Sequence, residues 1–168
     1  MAFTLDFTRR GGPDAVAYVK GSEAFRSIKG TVSFYQSRDG VIVVSDITGL
    51  PAGMGSCDWR VFGFHIHAGT SCSGTESDPF ANADGHFNPN NCTHPHHAGD
   101  LPPLFGNKGK AYASVLTSRF KVNEVIGRTV IIHENPDDFN TQPSGNSGPM
   151  IACGPIWGKG VTTTGVGD

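Results

Sequence analysis

At 168 residues with a formal net charge of −2, the chain is long enough for one domain with a substantial core, and it has no basic run to suggest a nucleic-acid partner. Charged residues make up 17%, while glycine (23) and proline (11) are abundant, as in a turn-rich, mostly β protein. No apolar stretch approaches the ~18 residues of a membrane span, and Met1 to Pro13 has no hydrophobic signal core.

In chain order, short runs of β-branched and aromatic residues alternate with Gly, Pro, Asn and Asp. They predict strands near Ala15–Lys20, Lys29–Tyr35, Val41–Ile47, Arg60–His67, Ala98–Leu104, Lys110–Leu116, Arg128–His133 and Pro149–Trp157. Arg38-Asp39-Gly40 and Asn107-Lys108-Gly109 read as turns, and Arg119–Val125 holds at most one short helical turn. Eight short strands in a single domain over residues 1–168 suggest a Greek-key barrel or immunoglobulin-like sandwich. Its core is expected over about 15–156, with residues 1–14 and 158–168 as terminal extensions. Two segments interrupt the regular spacing, Ala68 to His97 and Glu134 to Ser147. Long loops inside a compact domain are usually functional, and the first needs something to pin it.

The histidines supply that. Six of the seven lie between His65 and His97, and His133 stands alone in an apolar run. His65 and His67 are two apart, so on a strand both imidazoles point to one face. His86, His94, His96, His97 and Asp100 follow. Several neutral imidazoles and a carboxylate in one region read as a site for more than one metal. The four cysteines, Cys57, Cys72, Cys92 and Cys153, contain no CxxC pair, which disfavours a thiolate zinc finger or redox motif. Disulfides are the better reading and favour an oxidising compartment. The expected location is extracellular or the cell envelope, with a signal peptide absent or removed, and the cytoplasm as the alternative.

Five segments carry a resemblance: Gly-Phe-His-Ile-His (63–67), Gly-His-Phe-Asn-Pro (85–89), His-Ala-Gly-Asp-Leu (97–101), Ile-Gly-Arg-Thr-Val-Ile-Ile-His (126–133) and Gly-Asn-Ser-Gly…Ala-Cys-Gly (145–154). In this order they resemble Cu/Zn superoxide dismutase over roughly Ala15 to Ile156. The resemblance implies copper ligands at His65, His67, His86 and His133, and zinc ligands at His86, His94, His97 and Asp100. His86 is then shared by both metals and acts in catalysis as a ligand that also carries a proton. Asp137 matches a carboxylate linking copper and zinc ligands, with Asp138 its neighbouring competitor, and His96 is left as a spare. Cys72 and Cys153 match the family disulfide. Cys57 and Cys92 lie outside the family pattern and are expected to pair with each other, a better use of Cys92 than zinc ligation.

The implied activity converts superoxide into dioxygen and hydrogen peroxide, with one copper and one zinc per chain, no membrane insertion, and a homodimer as one possible assembly. The alternative is a dismutase-like copper/zinc-binding protein with weak or no turnover. That alternative draws on one departure: Met150 stands where many relatives have an anion-binding Arg, and Asn140–Ser147 is short and uncharged. Cationic steering raises anion capture, and Lys108 and Lys110 are the candidates to compensate.

Overall fold

The computed structural model describes residues 11–53 and 59–160. Among these residues nine strands are present: β1 (Ala15–Gly21), β2 (Lys29–Ser37), β3 (Gly40–Thr48), β4 (Trp59–Phe62), β5 (Phe64–His67), β6 (Leu104–Asn107), β7 (Lys110–Thr117), β8 (Thr129–His133) and β9 (Met150–Gly158). They form one antiparallel sheet in the order β4-β6-β7-β3-β2-β1-β9-β8-β5. The two end strands, β4 and β5, are consecutive in the chain and joined at Gly63, so the sheet curls into a nearly closed barrel. Its interior follows from the period-two alternation of the strands. Ala15, Ala17 and Val19 of β1, Val32 and Phe34 of β2, and Val41, Val43 and Ile47 of β3 all point inward and are buried.

The predicted strands are recovered with two corrections. Arg60–His67 is two strands, because the chain changes partners at Gly63. β4 pairs with β6, while β5 pairs with β8. At the crossing the Gly63 N–H donates to the Asn135 carbonyl at 2.8 Å, and His133 N–H donates to the Gly63 carbonyl at 2.9 Å. A Cβ on Gly63 would lie 2.9 Å from the Ser147 side chain, closer than side chains approach, so this corner needs glycine. The strand predicted at Ala98–Leu104 begins only at Leu104. Pro102 and Pro103 have no N–H to give a ladder, and residues 98–100 turn to bring Asp100 inward.

The turn at Arg38-Asp39 joins β2 to β3 with Ser37 paired to Gly40, and Lys108-Gly109 joins β6 to β7 with Asn107 paired to Lys110. The expected helical turn is α1 (Val122–Val125), where Glu124 accepts from the preceding Lys121 N–H at 2.6 Å and Val122 N–H donates to Gln36 Oε1 at 2.9 Å. No helix among the described residues is long and apolar enough to cross a membrane.

The loop after β5 is stitched to that strand. Phe87 N–H donates to the Ile66 carbonyl at 2.8 Å, and Ile66 N–H donates to the Gly99 carbonyl at 2.9 Å. This covers the edge of β5, which would otherwise present unpaired backbone groups. The Cys72–Cys153 disulfide, spanning 81 residues of chain, ties the same loop to β9. Cys92 is exposed and bonded to no described cysteine, and Cys57, its expected partner, lies outside the described residues.

Candidate metal centre

Six histidines and two aspartates, all buried, meet where β5, β8 and the two long loops converge. His65 and His67 project from β5. His133 ends β8, just past a register shift between Ile132 and His133, and pairs with Met150 on β9. Isolated bridges place His86 opposite His67 and Asp100 opposite His65. Two donor sets result, His65, His67, His86 and His133 in one and His86, His94, His97 and Asp100 in the other, with the donor atoms of each set within 4.8 Å of one another. His86 is common to both. His96 is exposed and belongs to neither.

The hydrogen bonds determine which ring nitrogens are free. His67 Nδ1–H donates to the Asp84 carbonyl at 2.5 Å, and His133 Nδ1–H donates to the Gly148 carbonyl at 3.0 Å. Each Nε2 therefore carries a lone pair, and these two atoms face each other at 3.2 Å. His65 Nε2–H donates to Asp137 Oδ2 at 2.8 Å, and His94 Nε2–H donates to Asp137 Oδ1 at 2.9 Å. Their Nδ1 atoms are buried without a hydrogen bond, as is His86 Nε2. His94 Nδ1 lies 3.1 Å from Asp100 Oδ2 but out of line for one. On the other side of the shared ring, His86 Nδ1 lies 2.7 Å from Asp100 Oδ1, and His97 Nδ1 lies 3.3 Å from the same oxygen.

Buried lone pairs aimed at one another are costly unless something positive lies between them. A proton is a poor solution here. Burial, and then the neighbouring imidazoles, push His67 well below the ordinary histidine range and His133 down to about 3. Neutral imidazoles with converging lone pairs are instead the form in which histidine binds metals. The all-imidazole set suits copper, and three imidazoles with a carboxylate suit tetrahedral zinc. The residues present thus fit both metals.

Asp137 links the two sets. It accepts from His65 and His94, and from Phe139 N–H at 2.7 Å. Burial acts to raise its pKa, but the hydrogen bonds from His65, Phe139 and His94 outweigh it and hold the carboxylate ionised. Gly145 packs against this junction with φ +69°, and a Cβ there would lie 2.0 Å from Asp137 Oδ1. Asp138 is exposed and bonds instead to Asn140 and Thr141 of its own loop.

A cleft of about 630 Å³ opens onto His67, His86 and His133 and is rimmed by Met150, Pro143 and Ser144. Among the described residues its lining includes Asp78 and Asp84 but no Lys or Arg. Lys108 and Lys110, the candidate steering cations, sit at the β6–β7 turn and do not line it. Three positioning groups have no signal in the sequence: the backbone carbonyls of Asp84 and Gly148, which fix two rings, and Gln142, whose amide pairs with the His94 backbone in both directions. Carbonyl partners leave no signature in residue type, and the Gln142 contact depends on how two loops meet.

Residues 28–156 match the sequence model of the copper/zinc superoxide dismutase (SODC) family. The chain is 36% identical over 145 residues to the copper–zinc superoxide dismutase of Deinococcus radiodurans, covering 76% of each chain. It is 35% identical over 136 residues to that of Legionella pneumophila, again covering 76% of each. Among solved structures, the Cu/Zn superoxide dismutase from Brucella abortus superposes with a TM-score of 0.70 at 26% identity, covering 83% of this chain and 97% of that one. The chain belongs to the copper/zinc superoxide dismutase family.

Proposed function

We propose that this chain dismutates superoxide with copper held by His65, His67, His86 and His133 and zinc held by His86, His94, His97 and Asp100. Copper, when bound, supplies the one-electron redox chemistry that turns two superoxide anions into dioxygen and hydrogen peroxide, and zinc, without redox chemistry, is structural. His86 does two jobs. Its Nδ1 belongs to the zinc set, while its partnerless Nε2 belongs to the copper set at the cleft floor and is the atom positioned to hold a proton for the peroxide product. Asp137 fixes the tautomers of His65 and His94, so each presents Nδ1 inward. The single observation that carries this reading is the shared position of His86 between two buried donor sets. Copper and zinc content measured together with a dismutase assay on the same preparation tests it.

A second reading, copper and zinc binding with weak turnover, is favoured by a cleft whose lining, among the described residues, offers no Lys or Arg to an anionic substrate. The same paired measurement separates the two, since the second reading predicts full metal content with a rate near background.

The domain is read as a single unit, residues 1–168, with its core over about 15–156. The Cys72–Cys153 disulfide supports an extracellular or cell-envelope location. Assembly as a homodimer is supported by Trp59, Phe105 and Tyr112, which are 69%, 72% and 72% exposed on neighbouring strands β4, β6 and β7. Such rings present on the order of 400 Å² of apolar surface together, about half of the ~800 Å² per partner in a stable interface. Asp46 and Lys110, on the outer face beside Tyr112, offer both signs of charge to a two-fold partner.

A further inference from the structure

Loop 94–100 supplies three of the four residues in the zinc set, yet it contains no regular hydrogen-bonded element beyond single turns. Its backbone must therefore be held from outside. On one side Gln142 does this: its Oε1 accepts from His94 N–H at 3.0 Å and its Nε2–H donates to the His94 carbonyl at 2.7 Å. On the other side three carbonyls of the loop turn toward one point, where a single nitrogen of Arg119, Nη1, donates to Pro95 at 3.0 Å, His97 at 3.2 Å and Asp100 at 3.1 Å.

Arg119 follows β7, and its root is fixed. The next residue, Phe120, is buried and packs edge-on against Phe34 with ring centroids 6.4 Å apart. Two residues further, Val122 N–H donates to Gln36 Oε1 at 2.9 Å. A long flexible side chain thus leaves a rigid anchor and places its charge among three carbonyl dipoles. Charge-assisted hydrogen bonds are roughly twice as strong as neutral ones. The loop cannot spread without breaking all three.

We infer that Arg119 is a positioning residue for the zinc set, clamping the backbone of loop 94–100 so that His94, His97 and Asp100 stay converged and zinc is retained. It touches no metal and no substrate. The inference rests on the assignment of zinc to His86, His94, His97 and Asp100. Partners beyond the ligands typically change metal affinity by 10–100-fold, and the effect of Arg119 falls on zinc rather than copper, because the other three copper residues sit on β5 and β8.

The test compares the release of zinc and copper from the metal-loaded protein to a chromogenic chelator, in wild type, Arg119→Met, Arg119→Lys and a control, Arg26→Met, whose side chain pairs with Glu23 on an exposed turn. Arg119→Met is expected to release zinc roughly 10–100 times faster with copper release nearly unchanged. Arg119→Lys, which keeps the charge but not the planar fork, is expected to fall between, and Arg26→Met to match wild type. Cobalt placed in the zinc position is expected to show altered absorption bands in both Arg119 variants. Should Arg119→Met fold poorly, Arg119→Lys carries the test. Zinc release at the wild-type rate in the variants, or copper and zinc accelerated by the same factor, overturns the inference. If wild type binds no zinc, or if Asp100→Ala binds it unchanged, the zinc assignment fails instead. Zinc bound by wild type, lost in Asp100→Ala and released normally by the Arg119 variants refutes only the role of Arg119.

Discussion

His67 and His133 approach from different strands with their Nε2 atoms 3.2 Å apart, each ring locked by a carbonyl on its far nitrogen. Two acceptors held that close define a cation site, and His133 reaches it from 66 residues away in the chain. Replacing His133 removes one donor from the copper set and none from the zinc set. His133→Ala is expected to keep its zinc, lose most of its copper, and show dismutation at background level. Metal analysis and a dismutase assay on the same variant check this, and retained activity would refute the copper assignment.

Asp137 bonds to a residue of each donor set, His65 on one oxygen and His94 on the other. Asn in its place accepts at one oxygen only and turns an N–H toward a histidine N–H. Asp137→Asn is therefore expected to weaken both metals, by about 10–100-fold in affinity, measured by competition with chelators. Asp138→Asn, altering a carboxylate bonded only within its own loop, is expected to leave both affinities within about twofold.

Acid should destabilise the protein once its metals are stripped. His65, His67 and His133 have pKa values lowered chiefly by burial, so the unfolded chain binds more protons than the folded one below about 6.5. Their contribution is fully present above that pH and is lost as pH falls toward the folded values, about 3 for His133. At pH 4.5 His133 alone is expected to cost about 3 kcal/mol. Asp100 and Asp137, also lowered, act with the same sign but only below about 3.8. Thermal unfolding of the stripped protein from pH 8 to pH 4 measures this. A midpoint independent of pH would contradict it.

The Cys72–Cys153 bond closes 81 residues and fastens the metal-bearing loop to β9. The chain-entropy account gives about 4.5 kcal/mol for a loop of that size. Cys153→Ser is expected to lower the thermal midpoint of the stripped protein by about 10 °C or more, and to speed the loss of both metals, read by calorimetry and chelator release.

If Trp59, Phe105 and Tyr112 form the centre of a homodimer, Trp59→Lys should dissociate it, leaving the metal content and the activity per chain unchanged. Sedimentation of both forms at matched concentration decides this. A wild-type protein that sediments as a monomer removes the dimer proposal.

A metal-binding region was legible because histidine spacing carries chemistry, with two histidines two apart on a strand and a cluster in a long loop, while His133, alone in an apolar run, joined it only through the family resemblance. The barrel was legible in its β-branched runs and turn residues. The break at Gly63 was not, because Arg60–His67 is a continuous run of strand-forming residues around one glycine and the change of pairing partner leaves no mark in residue type. Ala98–Leu104 misled because Ala98 and Leu101 are buried in the core without joining a ladder, which begins only at Leu104. That Lys108 and Lys110 do not line the cleft was not legible for a similar reason: sequence does not say which surface lies beside a turn. The contacts that orient the rings and the loop, from Asp84, Gly148, Gln142 and Arg119, mostly use backbone atoms and appear only once the chain is folded.

The central claim is that two buried donor sets sharing His86 hold copper and zinc and turn over superoxide. The most direct measurement is metal content and dismutation rate on one preparation, before and after reconstitution with both ions. One copper and one zinc per chain, with a rate far above the uncatalysed background, is the predicted result. Both metals bound with a rate at background would contradict it.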